Sequence, residues 1–97
     1  MSRPTEREAA YAAIDSERAY QDQVWPTTTN EPRPHRHTVK EELILLQSYI
    51  GKAMVAWAVN EGDKAALDVI RKIAAIAVRA MELHGVVERS ERSDERD

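Results

Sequence analysis

Apolar positions along this chain recur every three or four residues in three separate stretches, and nowhere alternate as in a strand, so the pattern predicts helices alone. The first helix is expected over residues 4–25. Pro4 suits a first helical turn, Thr5 with Glu8 has capping-box spacing, and Pro26 pushes the residue before it out of the helical region. Residues 26–37 hold three prolines and three threonines without one aliphatic side chain, the composition of a loop or extended linker. The second helix is expected over 38–59, opened by Thr38 with Glu41 as its capping partner. Asn60-Glu61-Gly62 breaks it, Asp63 is a good N-cap, and the third helix runs over 63–84 with Gly85 as its stop. A turn this short makes the last two helices an antiparallel hairpin. Residues 86–97 have mixed charge and no apolar anchor after Val87, so they read as a disordered tail beyond a single helical domain over 1–85.

The apolar stripes decide the partner question. On the second helix Leu43, Leu46, Ile50, Ala53, Met54 and Trp57 form one stripe, and Leu45, Tyr49, Ala56 and Val59 form another nearly opposite. The third helix is apolar over more than half its circumference, with Asp68, Arg71, Lys72, Ala75, Arg79 and Glu82 on the remaining side. A helix apolar nearly all round needs neighbours on several sides, and one hairpin with one alanine-rich helix does not provide them. The pattern therefore predicts an all-α homo-oligomeric bundle, a dimer or larger. Length agrees, because 97 residues bury only about 60–65% of their unfolded surface. With 14 Lys and Arg against 17 Asp and Glu, general DNA binding is not expected. The absence of cysteine excludes disulfides, thiolate zinc sites and a cysteine nucleophile. No apolar run reaches the ~18–20 residues of a membrane span and no signal-peptide pattern opens the chain, so a cytoplasmic protein with no membrane partner is expected.

Few residues carry recognisable chemistry. His35 and His37 alternate in the linker without a third ligand, so no metal is expected, and His84 suits the negative end of the third helix. On the first helix Ile14, Glu17, Gln21 and Val24 or Trp25 share a face. Polar groups on such a face form either a pocket wall, with Tyr20 and Trp25 as stacking surfaces, or a packing hydrogen-bond set beside the Arg18/Asp22 and Glu17/Gln21 pairs. The two readings weigh equally. In the hairpin Lys52 stands level with Arg71 and Lys72, inside the stripe between Tyr49 and Ala56, either snorkelling at a rim or facing an anion. Arg79 lies two turns beyond Lys72. Base rates favour a solvated face for Arg71, Lys72 and Arg79, paired with Asp68 and Glu82. The three glycines are scattered, so no phosphate loop exists, and no cofactor is expected.

The segment Ile14-Asp-Ser-Glu-Arg-Ala-Tyr-Gln-Asp-Gln-Val-Trp25, the loop with His37, the helix with Ile50-Gly51 and the run Ile73-Ala-Ala-Ile-Ala-Val-Arg-Ala-Met-Glu82 together resemble small phage and prophage proteins related to MazG-like all-α nucleotide pyrophosphohydrolases, over about residues 10–84. The resemblance implies a MazG-like arrangement of a long helix and a helical hairpin. The enzymes of that family hold magnesium with a Glu-x-x-Glu set and a Glu-x-x-Asp set, and the magnesium holds the nucleotide's phosphates. Here Gln47–Lys52 and Leu67–Lys72 occupy those places, and of the acids only Asp68 remains. Magnesium requires oxygen ligands, so the chain leans away from being an enzyme. Lys and Arg can instead bind phosphate directly. The leading expectation is a non-catalytic binder of a nucleotide or nucleotide-derived phosphate ligand, in a phage a protein that sequesters a host defence signal in the host cytoplasm. Lys52, Arg71, Lys72 and Arg79 would contact phosphate, Tyr20, Trp25 and Tyr49 would stack, and Glu17 and Gln21 would form the polar wall. One alternative is a phage helical adaptor or inhibitor whose partner is a host protein. Another is a divergent pyrophosphohydrolase with a site rearranged among Glu17, Asp22, Glu41, Glu42 and Asp68.

Overall fold

The computed structural model describes residues 3–24, 37–59 and 62–90. Regular structure among them is entirely helical, with α1 at Glu6–Val24, α2 at Val39–Val59 and α3 at Asp63–His84. Both capping boxes form. Thr5 N–H donates to the Glu8 carboxylate at 2.7 Å and Glu8 N–H to Thr5 Oγ1 at 3.0 Å; Thr38 and Glu41 repeat this at 2.7 and 3.1 Å. These bonds satisfy amides that a helix start otherwise leaves open. The expected cap at Asp63 is corrected. Gly62 takes the N-cap position at φ 67°, where an L side chain is strained, and makes no side-chain cap bond. Asp63 lies inside the first turn and accepts a 2.9 Å bond from Trp57 Nε1, tying the two arms of the hairpin together. Gly85, at φ 105°, closes α3 by donating its N–H to the Met81 carbonyl at 2.8 Å, while His84 is exposed in the last turn. Residues 86–90 continue without regular structure; the rest of the expected disordered tail, the linker residues 26–36 with His35, and Trp25 lie outside the described residues.

α3 is the central element. α2 packs against one side of it and α1 against another, while the backbones of α1 and α2 do not approach each other. The surface α1 covers is the polar side of α3, which the sequence suggested would be solvated. Ala75 is wholly enclosed there, and α1 brings its own buried Glu17, Arg18 and Gln21 against it. Polar faces meet through ion pairs, which is why carboxylate, guanidinium and amide groups are buried in so small a protein. Consecutive residues Glu17 and Arg18 reach Arg71 and Glu82, eleven positions or roughly 16 Å apart along α3, so α1 is clamped at two separate levels of α3. From Glu6 to Ala13, α1 is exposed throughout.

Apolar burial inside one chain is slight, limited to Ala53, Ala75 and Ile76 among the described residues. On α2, Leu45, Tyr49 and Ala56 are half-buried, whereas Leu43, Ile50, Met54 and Trp57 remain exposed. One expectation needs correcting: α2 is by length and composition apolar enough to cross a membrane. Its apolarity comes from carrying two stripes at once, of which α3 covers Leu45, Tyr49 and Ala56 from one with Ala53 and part of Leu46 from the edge of the other, leaving Val59 exposed.

Candidate binding cleft

Where α1 passes over α3 without reaching α2, a cleft of about 190 Å³ opens. Glu17, Tyr20, Gln21 and Val24 line it from α1, at the 3- and 4-residue spacing that puts them on one helix face. Tyr49 enters from α2 and Lys72 from α3. The charges inside are unevenly matched. Arg71 Nε donates to Glu17 at 2.9 Å and its other nitrogen meets Asp68 at 2.8 Å, so this guanidinium is held by two carboxylates, Glu17 foremost in raising its pKa. Lys72 Nζ stands 3.8 Å from Asp68, beyond a hydrogen bond, and keeps the more available charge. Lys52 Nζ lies 4.3 Å from the Tyr49 ring centroid, a cation–π distance. Gln21 is 2% exposed and its side-chain carbonyl oxygen has no partner.

Five residues singled out from the sequence thus meet in one place: Glu17, Tyr20, Gln21, Tyr49 and Lys72. Arg71 stands behind Glu17, and Lys52 touches the cleft through Tyr49. Arg79 does not line it; it is half-buried, with an enclosed Nε lacking a partner. Trp25 is outside the described residues.

Two polar groups have more important roles than the sequence indicated. Arg18, expected to pair with Asp22 alone, also grips Glu82 with two nitrogens at 2.9 and 2.6 Å, and that bond pulls the Glu82 carboxyl below its ordinary value. Sixty-four positions separate the partners, so local spacing holds no trace of the pair. Glu42 is 2% exposed, with one oxygen 3.0 Å from His37 Nδ1 and the other unpartnered. Its burial was legible, because it continues the stripe of Leu45, Tyr49 and Ala56 by one turn.

The acids considered for a rearranged hydrolytic site are dispersed. Glu17 is bound to Arg71, Asp22 to Arg18, Glu41 to its capping box, Glu42 to His37 and Asp68 to Arg71. Among the described residues no three His, Asp or Glu side chains group closely enough to hold a metal ion. What the cleft offers is recognition: two phenol rings, an amide and an ammonium around a space smaller than the ~300–1,000 Å³ of a full ligand pocket, large enough for one base or one phosphate. In comparisons with known proteins, no family model, no curated protein and no solved structure matches this chain.

Proposed function

We propose that this chain is a non-catalytic, MazG-like helical protein that assembles as a homo-oligomer and binds a nucleotide or nucleotide-derived phosphate ligand at the cleft between α1 and α2. The observation that carries the reading is the convergence of Tyr20, Tyr49 and Lys72, one from each helix, on one opening, with the Lys72 ammonium 3.8 Å from Asp68 and so paired with it more loosely than a hydrogen bond. Aromatic stacking on a base contributes about 1–3 kcal/mol and tolerates any base, and an ammonium is a compact point charge for a phosphate oxygen. Gln21 contributes its buried amide to the wall. Arg71 fixes Glu17 as a wall, and Lys52 at the Tyr49 ring extends the positive field past the small cleft, where the remainder of a nucleotide lies. Capture of a host defence signal in a phage setting is the biological role the family resemblance suggests.

Isothermal titration with linear and cyclic nucleotides, followed by chromatography of the mixture, tests this. A saturable signal with the nucleotide recovered intact is expected, weakened at least tenfold by Lys72→Ala. Flat titrations across the panel, or unchanged affinity in a Lys72→Ala, Tyr49→Ala double variant, reject it. One observation favours a second reading, a helical adaptor binding a host protein. Ile44, Val55 and Val59 form further exposed apolar surface on the back of α2, 57–72% accessible. A retained partner lost on Val55→Glu would support that reading.

A further inference from the structure

We infer that two copies of the chain pair through the side of the hairpin that faces away from α1. The inference deepens the proposed homo-oligomer and rests on it. On α2 the residues Val39, Leu43, Leu46, Ile50, Ala53 and Trp57 follow one another at intervals of four, three, four, three and four. On α3 Leu67, Ile70, Ala74, Ala77 and Met81 follow at three, four, three and four. This is the heptad spacing of a helix seam, and it asks for another helix of the same period.

The chain's own α1 does not supply one. It covers the surface around Arg71, Ala75 and Glu82, on average roughly a quarter to a third of a turn from the centre of the α3 series, and leaves Leu67, Ile70 and Met81 exposed. Because the hairpin is antiparallel, both series open on the same side, opposite α1. Leu43, Ile50, Met54 and Trp57 are between 49% and 68% exposed there. With the α3 residues they present roughly 800 Å² of free surface, about one partner's share of a standard interface.

Two features point to a second copy as the occupant. Between Leu67 and Met81 on α3 and between Val39 and Trp57 on α2 the series carry no charge. Asp63, one step before Leu67, brings a carboxylate to the turn end of the face, where it accepts the Trp57 Nε1 bond, so the middle of the face meets itself without repulsion. Its halves also differ in bulk at mid-height: α2 carries Leu46 and Ile50 where α3 carries Ala74 and Ala77. A twofold axis that lays α2 of one copy over α3 of the other puts large residues on small ones, as an isologous interface requires. The result is a four-helix bundle with each α1 and its cleft on the outside.

The full chain contains no cysteine, so single cysteines report the contact cleanly. Met54→Cys and Ile70→Cys sit on the face, and Ser48→Cys lies exposed on the far side of α2. A short bismaleimide is expected to link chains covalently at a face position and not at Ser48. Light scattering is expected to give a mass of at least two chains, and Ile50→Glu to lower it at least twofold with helicity retained by circular dichroism. A multimer unaffected by Ile50→Glu, or one that links at Ser48 and at neither face position, overturns the surface while leaving the assembly standing. A single-chain mass for the unaltered protein overturns both.

Discussion

Replacing Arg18 with alanine should release α1 while leaving the hairpin folded. The Arg18 side chain is 10% exposed and holds Glu82 through two nitrogens, with Asp22 on a third contact. A fully buried pair broken on one side costs about 3–5 kcal/mol, whereas an exposed pair contributes about 0.2–1 kcal/mol. Glu82 and Asp22 are 50% and 54% exposed and rehydrate once the guanidinium is gone, so the loss falls between these limits, at about 1–2 kcal/mol. That corresponds to a factor of about 5–30 in the docking equilibrium. The loss concentrates on α1 because its contact with α3 is polar and its only fully enclosed apolar neighbour is Ala75. Amide hydrogen exchange followed by mass spectrometry reads this directly. Peptides covering residues 14–24 should exchange about 5–30-fold faster, while those from α2 and α3 keep their rates. Equal acceleration in all three helices, or none in α1, would refute the claim that α1 docks through this pair. Arg18→Lys, which keeps the charge and loses the fork, should fall in between.

Further outcomes follow from the same contacts. The carboxyls of Glu82, held by Arg18, and of Glu8 and Glu41, held by the Thr5 and Thr38 amides, are shifted down from 4.5. Depressed carboxyl values stabilise the fold above the unfolded value and lose that effect as pH falls through the folded one. Acid titration followed by far-ultraviolet circular dichroism should therefore show helix loss below about pH 4.5, with the Glu82 contribution absent in Arg18→Ala. Gly85→Ala should cost about 1–3 kcal/mol in thermal melts, because φ 105° with ψ 156° suits only glycine while open space surrounds the site. An unchanged midpoint would contradict the assigned backbone. Ala75→Leu should displace α1 at about 1–3 kcal/mol, seen as faster exchange in α1, since no space exists beneath it. Unaltered exchange would show that α1 sits elsewhere.

Helix limits, both capping boxes and the hairpin were legible because each depends on residues within four positions of one another. The cap of α3 was misjudged by one place for a related reason: Asp63 has the better side chain, but the turn needs a positive φ that Gly62 supplies. The cleft was legible in pieces. Spacing put Glu17, Tyr20 and Gln21 on one face and Lys72 on another, yet nothing local stated that α1 crosses α3 and brings them to Tyr49. That crossing depends on Glu17–Arg71 and Arg18–Glu82, pairs separated by 54 and 64 positions. The sequence weighed a pocket wall against a packing hydrogen-bond set for α1. The structure gives Glu17 and Arg18 a packing function and leaves Gln21 enclosed at the cleft wall with its carbonyl oxygen unpartnered.

Two of the helices that line the cleft, α1 and α2, have backbones that do not approach each other, and α1 is held to α3 by salt bridges. A ligand seated there would meet a competent site only in molecules whose α1 is docked, so its apparent affinity is the intrinsic affinity multiplied by the docked fraction. By linkage the ligand stabilises docking in return. Arg18 and Glu82, which line none of the cleft, would then act as a remote gain control. Weakening them leaves affinity nearly unchanged while most molecules stay docked, and lowers it in proportion once the undocked form predominates. Salt would act twice on such a site, screening Lys72 from a phosphate and loosening the helix that forms the opposite wall.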